Sequence, residues 1–202
     1  NATDFGDGIS LSSNNSLIIN NTLGSNTNGQ GVDIFGVNNN ILNNTAYANR
    51  QGIKLSLISG INNTIKGNNV FSNNQKGIEV ISDNSIIQDN IIRDNGHPGG
   101  YSGIAIQTNN NKVINNYISN NSLNGIEMIT SANNEIINGV INNSGKNAIQ
   151  ISGTNSDNIN ITNVTIRNTN KSNYDLFFVD ATQNNIFITD SYIENYSFNN
   201  TA

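Results

Sequence analysis

Apolar residues recur in this chain as short alternating pairs, and the pairs themselves recur. A glycine stands just before each pair at Gly8, Gly31, Gly52, Gly77, Gly103 and Gly125, with Ala148 and Asp175 in the same place further on. The pairs are Ile9/Leu11, Val32/Ile34, Ile53/Leu55, Ile78/Val80, Ile104/Ile106, Ile126/Met128, Ile149/Ile151 and Leu176/Phe178. Alternation at period two predicts a strand with these residues on its buried face. A second phrase follows each pair. Its first apolar position runs Ile18, Ile41, Ile65, Ile87, Val113, Ile136, Ile161, Ile188, recurring every 22–27 residues. Three residues later stand Asn21, Asn44, Asn68, Asn90 and Asn116, then Gly139, Val164 and Ser191. Two beyond that come Leu23, Ala46, Val70, Ile92, Ile118, Ile141, Ile166 and Ile193.

A repeat of this length cannot bury its own apolar residues, but stacked repeats present like to like. No segment shows a 3.6-residue period, so helical repeats and crossover helices are excluded. The pattern predicts an all-β, single-stranded parallel β-helix of about eight coils, its strands paired about 4.8 Å apart. Parallel crossovers are almost always right-handed, and the coil is expected to be so. The repeat runs unbroken, giving one domain over residues 1–202.

Asparagine changes the picture most, with 48 in 202 residues. Asn tolerates the left-handed conformation and bonds nearby backbone, which suits a coil that must turn without long loops. The column Asn21, Asn44, Asn68, Asn90, Asn116 is expected to be a structural ladder, bonding from coil to coil. The glycine column reads as a turn position.

Charge is sparse: 11% of residues, net −5, with 9 Lys and Arg scattered along the chain. No basic stripe points to nucleic acid, and no apolar run is long enough to span a membrane. There is no cysteine, which removes thiolate chemistry. An outer surface of Asn, Ser and Thr suggests an extracellular or cell-surface location. Sequons at Asn14, Asn43, Asn62, Asn120, Asn142, Asn160, Asn163, Asn170 and Asn195 are glycosylation candidates. Neither end carries an amphipathic cap, so end coils would expose strand edges. Three expectations follow: a longer solenoid, end-to-end self-association, or a short loop cap over residues 195–202.

On these phrases the chain resembles the right-handed parallel β-helix superfamily, the pectate-lyase-like fold of NosD-like, carbohydrate-binding and sugar-hydrolase β-helix proteins. Its Asn-rich tone is similar to that of microbial adhesin-like surface proteins. Residues 43–53 also look like a coil of mannuronan C5-epimerase catalytic modules. The resemblance implies polysaccharide as substrate or ligand, bound on the outward face of one sheet, with calcium as the metal such folds use.

Two function classes stay open. The outward residues between the apolar pairs are Ser10, Asp33, Lys54, Glu79, Ala105, Glu127, Gln150 and Phe177. Asp33, Lys54, Glu79, Gln107 and Glu127 are the ligand-binding candidates. Glu79 and Glu127 lie two coils apart, about 10 Å, a little wide for an inverting carboxylate pair. Lys54 between Asp33 and Glu79 also reads as simple charge neutralisation along the ladder. The inserted stretch Arg93–Tyr101 holds the single His and the single Pro. Its Arg93, Asp94, His97 and Tyr101 are candidates for proton abstraction from a sugar carbon. The epimerases resembled here carry Asp-Pro-His and a Tyr, whereas this chain reads Gly96-His97-Pro98. Asp83, Asp157 and the pair Asp89/Asp94 could supply oxygen to calcium, but no calcium-loop motif is present. No cofactor is otherwise expected. The first class is a non-catalytic extracellular β-helix, adhesin-like or filament-forming, with Tyr47, Tyr101 and Tyr117 as glycan contacts. The second is a polysaccharide lyase, hydrolase or C5-epimerase.

Overall fold

The computed structural model describes residues 6–56, 61–167, 175–179, 185–194 and 198–201. Every described strand belongs to one of three parallel sheets. The chain visits the sheets in turn. Ile78–Val80, for example, lies in the first, Ile86–Gln88 in the second and Ile91–Arg93 in the third, and the next coil repeats the order with Ile104–Ile106. Strands of one coil pair only with those of the coils before and after. Register follows the sequence columns residue for residue. Ile53 pairs Ile78 and Ile78 pairs Ile104 in the first sheet. Ile65 pairs Ile87 in the second, and Val70 pairs Ile92 in the third. The three apolar columns meet inside as one continuous core, mostly Ile with Val, Leu and Ala and a single Met. Full burial of an Ile side chain contributes on the order of 2 kcal/mol, and the core is built from little else.

The corners explain the asparagine. Each turn uses two adjacent residues with different tasks. The first takes positive φ and faces out: Asn43 (φ 54), Asp89 (φ 55) and Asn115 (φ 54) at the corner between the second and third sheets. The second points in and forms the ladder. The main-chain N–H of Asn44 donates to Oδ1 of Asn68 at 2.8 Å, and that of Asn68 to Oδ1 of Asn90 at 2.8 Å. Nδ2 of Asn68 reaches the carbonyls of Ile41 and Lys66 at 2.9 and 3.1 Å and Oδ1 of Asn90 at 3.0 Å. One side chain thus bonds main-chain groups on two coils and the ladder side chain of a third, where a buried orphan would cost about 1–3 kcal/mol.

The sequence reading found one such ladder, from Asn21 to Asn116. The structure holds a second continuous one, Asn26, Asn49, Asn73, Asn95 and Asn121, at the corner between the third and first sheets. At the remaining corner Asn39 with Asn63, and Asn111 with Asn134, do the same, with Ser82, Ser85 and Thr108 between them. This corner grammar also explains the sequons. Asn43-Asn44-Thr45 is an outward turn residue, an inward ladder residue and the first residue of a strand.

The glycine column differs from its expectation in cause. Gly8, Gly31, Gly52, Gly77, Gly103 and Gly125 do not have positive φ. They are glycine because the inside corner is full. A Cβ on Gly77 would lie 2.7 Å from the carbonyl oxygen of Gly103, 2.7 Å from Ile92 and 2.9 Å from Nδ2 of Asn95.

At the C-terminal side the expected loop cap is corrected in part. Phe198–Thr201 pairs in parallel with Leu176–Val179, adding a ninth strand to the first sheet. The stretch Phe-Asn-Asn-Thr lacks both the glycine and the alternating apolar pair, so no periodicity announced it. The sequons Asn170 and Asn195 lie outside the described residues.

Candidate functional site

The outward face of the first sheet collects the chain's polar side chains into columns. The middle column is the predicted one: Asp33, Lys54, Glu79, Ala105, Glu127 and Gln150 stand in register on successive coils. A flanking column was missed in the sequence. It consists of the residue just before the glycine, or before Ala148 where that replaces it: Gln30, Gln51, Lys76, Ser102, Asn124 and Asn147. The carbonyls of Gln30, Lys76, Ser102, Asn124 and Asn147 accept from the glycine N–H of the preceding coil, which fixes the stacking. The signal was available, since that position is polar every time. On the other flank Ser56 and Gln107 follow the second apolar residue of their strands.

These columns bond one another. Glu79 is the hub, buried although it faces outward. Its Oε2 lies 3.6 Å from Lys54 Nζ and accepts from Gln51 Nε2 at 3.1 Å. Its Oε1 accepts from Lys76 Nζ and, at 3.2 Å, from Gln107 Nε2. Burial alone would push this carboxyl up. The hydrogen bond and charge of Lys76, then Lys54 and Gln51, overcome it and hold Glu79 below the ordinary glutamate range. Asp33 goes the other way. Burial raises it, only partly offset by the hydrogen bond from Ser56 Oγ and the charge of Lys54. Lys54 therefore pairs with Glu79 and acts on Asp33 at longer range. Further along, Ser102 Oγ donates to Oε2 of Glu127 at 3.1 Å. Asn124 and Asn147 donate to Oε1 of Gln150 at 3.2 and 3.1 Å.

The inserted loop does not form one cluster. Arg93 lies on the outward face of the third sheet, 4.4 Å above the Phe71 ring, and bonds Asp94 at 2.7 Å. Phe71 stacks on Tyr47 with centroids 5.4 Å apart, and the far side of Tyr47 lies against Gly24. Both faces of Tyr47 are thus covered. His97 is exposed and lines an open recess of about 230 Å³ with Asn120, Asn121, Ser122, Asn143 and Gly145. Tyr101 borders the first-sheet face. Its main-chain N–H donates to Ser122 Oγ at 3.1 Å, its carbonyl accepts from Leu123, and its ring lies against Gly99. Tyr117 is exposed on the third sheet.

The acidic residues considered for calcium are dispersed. Asp89 pairs with Lys66 at 3.6 Å and accepts from Asn115 at 2.7 Å. Asp94 pairs with Arg93, and Asp83 accepts from the Asn109 main chain at 2.7 Å. Among the described residues no three His, Cys, Asp or Glu side chains gather as a metal site would need. No helix among them is long and apolar enough to cross a membrane.

Comparison with known proteins places the architecture. The family model described as "Right handed beta helix region" matches residues 1–102. A search of curated proteins finds no match. Among solved structures, the periplasmic alginate epimerase AlgG is 16% identical, with a TM-score of 0.71 over 93% of this chain and 49% of its own. The A-module of the Azotobacter vinelandii mannuronan C-5 epimerase AlgE6 is 17% identical, with a TM-score of 0.71 over 96% of this chain and 56% of that one. An alginate lyase from Paenibacillus sp. is 14% identical, with a TM-score of 0.58 over 81% and 76%. The chain spans about half the length of either epimerase, and likeness at this identity shows the fold alone.

Proposed function

The chain belongs to the right-handed β-helix family, and from that premise we propose that it is an extracellular surface solenoid that contacts glycans through the outward face of its first sheet, without catalysing a reaction on them. The observation that carries this reading is the bonded polar lattice of that face. It offers amides, hydroxyls and paired charges at one coil spacing, about 4.8 Å, along a straight axis. An extended polysaccharide also repeats its polar groups regularly along a line. The epimerases and the lyase of similar fold are named for work on alginate, a polysaccharide.

What supports a non-catalytic role is the state of the acids. Glu79 is held ionised by two lysines and two amides, so it is no proton donor. His97 lines a different recess, shaped by Asn120 and Asn143. The sparse charge and amide-rich surface support the location outside the cell.

Affinity electrophoresis through gels containing soluble polysaccharides tests the reading. Retardation of the protein is expected, and its loss in a Lys54→Ala, Gln107→Ala, Gln150→Ala variant. Incubation with the retarding polysaccharide should leave its reducing ends, unsaturation and sugar stereochemistry unchanged. Product accumulating in step with protein concentration, and lost in Glu79→Gln or His97→Ala, would replace this reading with the enzymatic one.

A further inference from the structure

Resting on that reading, we infer that the glycan is uncharged and that it is held by Gln107, Glu127 and Gln150 on the first-sheet face. The argument starts from which charges are available there. Lys54 and Lys76 are both committed to Glu79, and Glu79 and Asp33 are buried beneath their partners. Beyond Ala105 the face continues through Glu127, half-buried, with no cation beside it among the ion pairs of the described residues. Any ligand lying along these coils meets that carboxylate.

The free valences around it have a definite sense. Ser102 uses one oxygen of Glu127 and leaves Oε1 as an acceptor. Gln107 spends one N–H of its Nε2 on Glu79, so its carbonyl oxygen and the other N–H remain. Gln150 spends its carbonyl oxygen on Asn124 and Asn147, so its Nε2 remains as a donor. Acceptor oxygens on Gln107 and Glu127 and amide N–H donors on Gln107 and Gln150, on adjacent coils, suit hydroxyl groups, which both give and take hydrogen bonds. A carboxylated sugar is the wrong ligand. It would bring one negative charge per residue against Glu127, where like charges juxtaposed in an interface are strongly disfavoured. The net charge of −5 adds to that exclusion. Selectivity thus comes from a repulsive group as well as from matched hydrogen bonds.

Isothermal titration with fixed-length probes tests this on the intact chain. Neutral hexamers of β-linked glucose and mannose are compared with hexamers of mannuronate and galacturonate, at low salt, with and without calcium. Neutral hexamers are expected to bind, and uronate hexamers at least about tenfold more weakly. Glu127→Gln is expected to weaken the neutral hexamer about threefold to tenfold and to strengthen the uronates. Glu127→Lys should favour the uronates outright. Uronates binding wild type as tightly as neutral hexamers overturns the inference and leaves glycan contact standing. Unchanged selectivity in both Glu127 variants, shown folded by circular dichroism, overturns the assignment to this stretch. Binding of neither class overturns the inference and the glycan-contact reading together.

Discussion

The inward corner ladders and the outward face of the first sheet are made from similar material. Both are columns of polar side chains repeated once per coil, and both bond along the helix axis. They differ in where their hydrogen bonds end. Asn68 and its neighbours spend theirs on main chain that is cut off from water. Gln107, Glu127 and Gln150 bond other side chains and keep a valence in reserve. The same chemistry is therefore fold-forming in one place and left with unspent hydrogen-bonding capacity in the other. Direction and burial decide which.

The largest expected effect breaks the inner member of the pair. Asn68→Ala strands the main-chain N–H of Asn44 and removes a donor from the carbonyls of Ile41 and Lys66. A loss of about 3 kcal/mol is expected in urea unfolding. Gly77→Ala, which forces a Cβ into the filled corner, should cost about 2 kcal/mol. Ala148→Gly, at the coil where a Cβ is accommodated, should cost no more than about 1 kcal/mol.

On the outer face the effects depend on pH, with opposite signs for the two carboxylates. Glu79 has a lowered folded-state value, so its contribution is complete above the ordinary glutamate value and is lost as pH falls through the lower one. Glu79→Gln should cost about 2 kcal/mol at neutral pH. That is below the usual range for a broken buried pair, because Lys54 and Lys76 can turn toward water. The deficit should close in acid. Asp33 has a raised value, so its contribution is present below the ordinary aspartate value and is lost as pH rises through the folded one. Asp33→Asn should stabilise the protein at neutral pH, by less than about 1 kcal/mol, and the gain should vanish in acid. Thermal unfolding across pH 2–8 reads both; parallel curves for the two variants would break the distinction. The smallest effect is expected on the third sheet. Arg93→Ala removes its contact with Phe71 and should cost about 0.5 kcal/mol, with glycan retardation unchanged.

The fold was legible because the core columns are periodic and the period is itself a statement about stacking. Every pair from Ile9/Leu11 to Ile149/Ile151 lies in the predicted register. The ladder from Asn21 to Asn116 was legible for the same reason. The ladder from Asn26 to Asn121 was as legible, standing five residues after the first in every coil with the same spacing, but the apolar phrase that marks the first corner does not extend to it. The outward middle column, Asp33 to Gln150, followed from alternation. Its partners Gln51, Lys76 and Ser102 did not, since a residue before a glycine reads as turn until the glycine is found packed inside. The loop holding His97 shows the converse. Rare residues close in sequence suggested one site, and the backbone sends Arg93 to the third sheet and His97 to a corner recess.

The most direct test of the account is a crystal structure of the protein with a neutral hexasaccharide. Density for the sugar is expected along the helix axis on the first sheet, with hydroxyls on Glu127 Oε1, Gln107 and Gln150 Nε2. Sugar bound instead in the His97 recess or over Tyr117, with the first-sheet face bare, would contradict it.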